Sequence, residues 1–247
     1  MKKHAFALAV ALAGIVELSV QAAIYLGVPS EASWDQAAAY VRSQRQPGDG
    51  IVFAPHWVDP TGRLHFGDLI SVEEAARPDR SRQARLWEVS IRGKHHPEAT
   101  GRVAEERTFG RVRVRRFERP AAEVLFDFTA SLPGRRHVGE VGFLPYMCLP
   151  LRPGETLAFK DVPMGASIAV GGGIADFQSR YNSDAPVTLQ TSIDGQRLPD
   201  QSFDNNGWRR ASLDTAVLGG RKATVEFHLA ASRAPTRTFC FHAEVHR

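Results

Sequence analysis

The pattern of apolar and polar positions changes character twice along the chain. After Met1-Lys2-Lys3-His4 an almost uncharged run extends from Ala5 to Val28, interrupted by Glu17. It predicts a helix able to cross a hydrocarbon core of about 30 Å. One central acidic residue costs roughly 3 kcal/mol on insertion scales, and the Leu, Ile, Val and Phe residues around it return about 0.3 to 0.6 kcal/mol each. The alternative for the same segment is a cleaved signal peptide, with a small-residue site at Val20-Gln21-Ala22. Beyond Pro29, Ser33 followed by Gln36 reads as a helix start, with the helix continuing to Arg42 and ending at Pro47-Gly48-Asp49-Gly50. Short apolar runs at 51–54 and 85–91, a helix around 72–77 and further strands at 110–118 and 123–128 predict a small α/β region over 29–132. From Tyr146 onward the pattern becomes short alternating runs parted by Gly, Pro, Asn and Asp, with turns at Asp194-Gly195, Asn206-Gly207 and Gly219-Gly220. That pattern predicts an antiparallel β-sandwich over 145–247. The fold class expected is therefore α+β: a membrane helix at 1–28, a small α/β region, then the sandwich.

Composition narrows the function classes. Of 247 residues 43% are hydrophobic and 23% charged, which excludes collagen-like, coiled-coil and wholly disordered chains. The formal charge of +4 is too small to imply a nucleic-acid partner, although the isoelectric point is about 9.3. Lys2 and Lys3 preceding the apolar run place the rest of the chain on the far side of the membrane. The expected location is the cell membrane, single pass, with the C-terminal domains on the outer, periplasmic side. A secreted or periplasmic protein is the alternative after cleavage.

No sequence motif names a reaction. His56-Trp57-Val58-Asp59 and Leu64-His65-Phe66-Gly67-Asp68 follow a strand end, where α/β proteins place ligand loops, so His56, Asp59, His65 and Asp68 are the candidate catalytic residues. Their types suit Zn²⁺, but no metal-ligand spacing is present, and neither a metal nor another cofactor is expected. A surface loop with turn-bonded aspartates is the plainer reading. Arg111, Arg113 and Arg115 alternate with Val112 and Val114, which predicts one basic face, either a grip for phosphate or an anionic glycan or a charged strand edge. Gly171-Gly172-Gly173 lacks a dinucleotide spacing and reads as a loop. Trp208 is a candidate sugar-stacking residue, weighed against a packing role.

Residues 187–245 carry Val187-Thr188-Leu189-Gln190-Thr191-Ser192-Ile193-Asp194-Gly195, Gly207-Trp208, Ser212-Leu213-Asp214-Thr215 and Gly219-Gly220-Arg221-Lys222. This stretch resembles the last strands of galactose-binding-like jelly rolls, which implies a carbohydrate-binding or passive accessory domain. Residues 5–54 and 85–91 resemble the last membrane helix and outer α/β tail of bacterial glycosyltransferases that use lipid-linked sugars. The multi-span catalytic core of that family is missing here, so the resemblance implies a neighbourhood and not a transferase.

Cys148 and Cys240, the only cysteines, fall in the expected first and last sandwich strands. Phe239, Phe241, Ala243 and Val245 form an apolar face that turns Cys240, His242 and Glu244 outward, and Met147, Leu149 and Leu151 do the same for Cys148. In the resembled jelly rolls those strands are neighbours, so a disulfide is expected, against two unpaired thiols. The function expected is a non-catalytic, membrane-anchored envelope protein binding a glycan or protein partner, with membrane lipid and a neighbouring glycosyltransferase as further partners. The alternative is an enzyme, or an accessory subunit, acting on envelope glycans or lipid-linked sugars through the His56 and His65 loop.

Overall fold

In the computed structural model, which describes residues 2–181, 185–231 and 237–247, the N-terminal run forms helix α1 (Lys2–Leu26). Glu17, Ser19 and Gln21 break its apolar pattern, and Ser19 Oγ donates back to the Ile15 carbonyl at 2.7 Å. Among the described residues no helix is long and apolar enough to cross a membrane. That finding overturns the single-pass placement in the cell membrane with outer C-terminal domains, and leaves the lipid contact expected through this helix without support.

The chain divides into two units, Met1–Leu69 with Arg85–Arg119, and Ile70–Ala84 with Pro120–Arg247. In the first, α2 (Glu31–Gln44) is capped by Ser30, whose Oγ accepts from the Ser33 backbone at 3.3 Å. The cap therefore lies one turn earlier than the Ser33–Gln36 pair suggests, and Ser33 is inside the helix. Trp34, Ala37, Ala38 and Val41 are the buried face of α2, recurring at the three-to-four spacing of an amphipathic helix. Strand β1 (Gly50–Ala54) leads through a short turn into α3 (Asp59–Phe66), whose Gly62 lies so close to the Phe53 ring that a Cβ would meet it at 2.3 Å. The sheet is completed by β2 (Arg85–Ile91), β3 (Arg102–Phe109) and β4 (Val112–Glu118), in the order β1-β2-β4-β3. β1 and β2 run parallel, and the other pairings are antiparallel. β3 escapes the sequence reading because Arg102, Glu105, Glu106 and Arg107 leave it no apolar alternation, and it is mostly exposed.

In the second unit the first segment supplies the short helix α4 (Val72–Ala75), capped by Ser71 Oγ accepting from Glu74 N at 3.1 Å. The remainder is β5 (Val124–Asp127), β6 (His137–Val141), β7 (Leu144–Leu151), β8 (Thr156–Pro163), β9 (Ser167–Ile174), the short helix α5 (Phe177–Tyr181), β10 (Val187–Ile193), β11 (Gln196–Arg197), β12 (Gln201–Phe203), β13 (Arg209–Asp214), β14 (Lys222–Ala231) and β15 (Phe239–His246). One sheet runs β11-β10-β14-β8, with β12 also on β10; the other runs β13-β9-β15-β7-β6, with β5 also on β15. Val225, Phe227 and Leu229 from the first and Phe239, Phe241, Ala243 and Val245 from the second join one core, with Phe227 and Phe241 4.7 Å apart. All the strand pairings of this unit are antiparallel among the described residues, as a sandwich requires.

The helix expected near 72–77 in the α/β region thus lies in the second unit, its segment held by the Met147–Ala76 backbone bond, and two further expectations fail for identifiable reasons. The strand near 123–128 belongs to the sandwich, not the α/β region, because Phe126 lies opposite Val245 in register and Phe128 packs 4.9 Å from Phe159. Gly171-Gly172-Gly173 is not a loop but part of β9. A Cβ at Gly171 would meet the Trp208 ring at 2.7 Å, one at Gly172 the Phe239 ring at 2.2 Å, and one at Gly173 Val141 at 2.4 Å. Glycine is required there by close packing from both faces of the sheet.

Candidate functional site

The four residues singled out after β1 do not converge on a shared reacting point. His56 is exposed. Asp59 pairs with Arg63 one helical turn on, at 2.5 Å. His65 Nδ1 lies 2.7 Å from Asp35, and its ring stacks on Trp34 at 5.9 Å. Asp68 accepts two hydrogen bonds from Arg42, each 2.8 Å, and these hold its carboxyl below the ordinary carboxylate range. His65 and Asp68 thus have partners on α2, and Asp59 a partner within α3.

The arginine comb is also dispersed. β4 is an interior strand, flanked by β2 and β3, so neither the exposed edge nor the single basic face materialises. Arg111 sits in the β3–β4 turn, Arg113 faces Glu106 at 3.6 Å, and Arg115 is buried against Glu88 and His95. Arg116 reaches Glu118 at 3.2 Å and lies 5.7 Å over the Trp87 ring. Arg113, Arg115 and Arg116 thus each face a carboxylate.

Trp208 stacks on Tyr146, with centroids 4.2 Å apart and planes at 7°, and overlies Gly171. Its ring is taken up in packing. Beneath it Cys148 and Cys240 are bonded to each other, with Cα atoms 5.4 Å apart, in a small cluster with Val141 and Ala175. The outward-turned cysteines are therefore fully covered, because β6 and Trp208 lie over that face of the sheet; Gly139 of β6 leaves room for the two sulfurs, which a Cβ would meet at about 3 Å.

The polar residues that do converge lie on the same strand face, two positions along. β15 is flanked on one edge by β7 as far as Phe241 and by β5 from Glu244 onward. Where the two neighbours part, a pocket of about 110 Å³ opens, lined by Asp127, Thr129, Met147, His242 and Glu244 together with Glu73, Arg77, Arg82 and Arg136. Arg82 comes from the Ile70–Ala84 segment, which the Met147 amide anchors by donating to the Ala76 carbonyl at 2.6 Å. Its guanidinium bridges Asp127 at 2.7 Å and Glu244 at 2.8 Å. His242 places Nε2 3.1 Å from Glu244 and Nδ1 2.8 Å from Thr129 Oγ1, and His246 Nε2 reaches the other Glu244 oxygen at 3.2 Å.

Burial alone would push the Glu244 carboxyl up, but hydrogen bonds from His242, His246 and Arg82 outweigh it and hold the group far below the ordinary carboxylate range. Asp79, nearby in sequence to Arg82, is held down in the same sense: its burial is outweighed by Arg210 and by bonds from Ser81. Asp127, His242 and Glu244 each offer a ligand atom within 4.8 Å of the others, a donor set that Zn²⁺ accepts. Arg82 already supplies a cation to both carboxylates, and both His242 nitrogens are engaged, so a metal would have to displace this network. The alternation that turns Cys240, His242 and Glu244 to one face was the sequence signal for half of this site. Arg82 and Asp127 are 162 and 117 residues from Glu244 in the chain and gave none.

No protein-family model and no curated protein matches the chain. Its structural neighbours include carbohydrate-binding β-sandwich modules. It is similar to the CBM51-2 and INT domains of Clostridium perfringens ZmpB (6% identity, TM-score 0.34), covering 52% of this chain and 28% of that one. The family 35 carbohydrate binding module from Clostridium thermocellum gives 16% identity and a TM-score of 0.31, over 49% of this chain and 98% of that one. A CBM36 module in complex with calcium and xylotriose gives 13% identity and a TM-score of 0.30, over 45% and 88%. These likenesses assign no ligand; the resemblance to glycosyltransferase tails, and the transferase partner it implied, gain no support from them.

Proposed function

We propose that the sandwich unit is a non-catalytic glycan-binding module whose site is the pocket at Asp127, His242 and Glu244. The observation that carries this reading is the fixed array of mutually bonded polar groups itself. A general acid needs a carboxyl whose pKa is raised toward the working pH, and Glu244 is shifted the opposite way. Both carboxylates lean on one guanidinium, which holds their oxygens in place. An array of immobile acceptors and donors is instead suited to the hydroxyl groups of a sugar, each of which donates one hydrogen bond and accepts others. Arg136 adds an exposed guanidinium at the pocket with no ion pair among the described residues.

Calorimetric titration of the full chain with xylotriose, cellotetraose and methyl-galactose, followed by a wider glycan array, tests the reading. Asp127→Asn and Arg136→Gln should each weaken binding about tenfold, the worth of one charge-assisted hydrogen bond. Wild-type protein that binds nothing on the array, or binding untouched by both substitutions, would sink it.

A further inference from the structure

Two hairpins of the sandwich unit use the same tight turn with opposite chemistry. At Asp194-Gly195 both central residues have positive φ, 48° and 80°, joining β10 to β11 with the Asp-Gly pair that such turns favour. At Gly142-Phe143 the angles are 60° and 68°, joining β6 to β7, so a bulky aromatic occupies a left-handed position that Gly or Asn fills without strain. Packing gives no compensation, since Phe143 is 80% exposed. Strain held at an exposed position points to a use for the side chain.

What surrounds it shows the use. Arg180 of α5 pairs with Glu140 of β6 at 3.0 Å, and its guanidinium lies 5.2 Å over the Phe143 ring. On the same short helix Phe177 and Tyr181 stack at 5.7 Å with planes 19° apart, and they are 56% and 77% exposed. The Asp176 amide, donating to the Glu140 carbonyl at 3.0 Å, fastens the start of α5 to the hairpin. Three exposed aromatic rings are thus carried on the β6–β7 turn and on α5, two elements joined by one Arg–Glu pair.

We propose that Phe143, Phe177 and Tyr181 form a second contact surface for glycan, in which the rings stack on the apolar face of a sugar and Arg180 and Glu140 meet its hydroxyls. This rests on the glycan-binding reading but uses residues separate from the pocket. A sugar fits this surface better than a protein does. Stable protein interfaces bury about 800 Å² per partner around a core depleted of charge, whereas here an ion pair lies directly beside the Phe143 ring.

The turn supplies an unusually discriminating test, because Phe143→Asn relieves the strained backbone while removing the ring. With the full chain and the sugar bound best among xylotriose, cellotetraose and methyl-galactose, Phe143→Asn and Tyr181→Ala should each weaken binding about tenfold. Phe143→Asn should leave the melting temperature unchanged or raise it by roughly 1–3 °C. A lower melting temperature with unchanged affinity would make Phe143 a packing residue and overturn the proposal. So would concentration-dependent self-association that the substitution abolishes while affinity stays constant, since the surface would then serve a second copy of the chain. Loss of binding in Asp127→Asn alone would refute the aromatic surface and leave the pocket standing. Loss in the aromatic variants alone would do the reverse, and wild-type protein that binds none of the sugars would overturn both.

Discussion

Glu88 in the first unit and Glu244 in the second are both buried carboxylates held by arginine, and they differ in what lies beyond the ion pair. Glu88 is wholly enclosed: Oε1 accepts from the His96 amide at 2.6 Å, Oε2 is taken by Arg115, and the pair fastens the His95–His96 loop to β2 and β4. Glu244 is as fully bonded, yet its network forms one wall of a pocket because β7 and β5 part beside it on β15. The chemistry of the side chains is nearly the same, a carboxylate, an arginine and histidine. A break in strand pairing separates a structural clamp from a place where a ligand can arrive.

That contrast can be broken in several ways, the largest of which is covalent. The second unit carries a disulfide across 92 residues, whose loss in the chain-entropy model removes about 4–5 kcal/mol. Reduction should therefore lower the melting of the sandwich and leave sequences 31–69 and 85–119 as protected in hydrogen exchange as before. Protein purified without reductant should show no free thiol after denaturation, and two thiols per chain would remove the basis of this comparison. Next in size, Glu88→Ala strands a buried arginine and should cost about 3–5 kcal/mol with sugar affinity unchanged in the protein that remains folded. A change in affinity would show that the clamp is not merely structural.

Acid should weaken the second unit. Because the folded-state pKa of Glu244 lies below the ordinary 4.5, and that of Asp79 below 3.8, their contributions are present at neutral pH and disappear as pH falls below those ordinary values. Melting temperatures followed from pH 7 to pH 3 should drop on the acid side, and Glu244→Gln should flatten that limb by lowering its neutral plateau. An unchanged slope in the variant would mean that the network contributes nothing to acid sensitivity. The smallest effect belongs to the dispersed comb: Arg113→Gln, with its exposed partner Glu106 at 3.6 Å, should change stability by less than about 1 kcal/mol in denaturant titration.

How much of this was legible in the sequence varies with the range of the interaction involved. The sandwich strands were readable wherever one face alternated, as along Thr224, Val225, Glu226, Phe227, His228 and Leu229, because alternation is a local consequence of burying one side of a sheet. The Asp194-Gly195 turn was readable because its left-handed angles are a property of two adjacent residues. β3 was not, since its polar residues are tolerated only at the edge that the sheet order gives it. The glycines of β9 misled, because their purpose lies in the Trp208, Phe239 and Val141 side chains that come from elsewhere to rest against them.

The candidate site divides along the same line. The chain by itself determined that His242 and Glu244 share a strand face with Cys240, since a period of two residues fixes which side chains point together. Only the tertiary structure decided that Arg82 and Asp127 would meet them, that the cysteines would be covered, and that Phe143 would be exposed in a strained turn beside Arg180. Periodicity is written in neighbouring residues. The meeting of segments more than a hundred residues apart depends on sheet order and strand pairing, which no local pattern encodes.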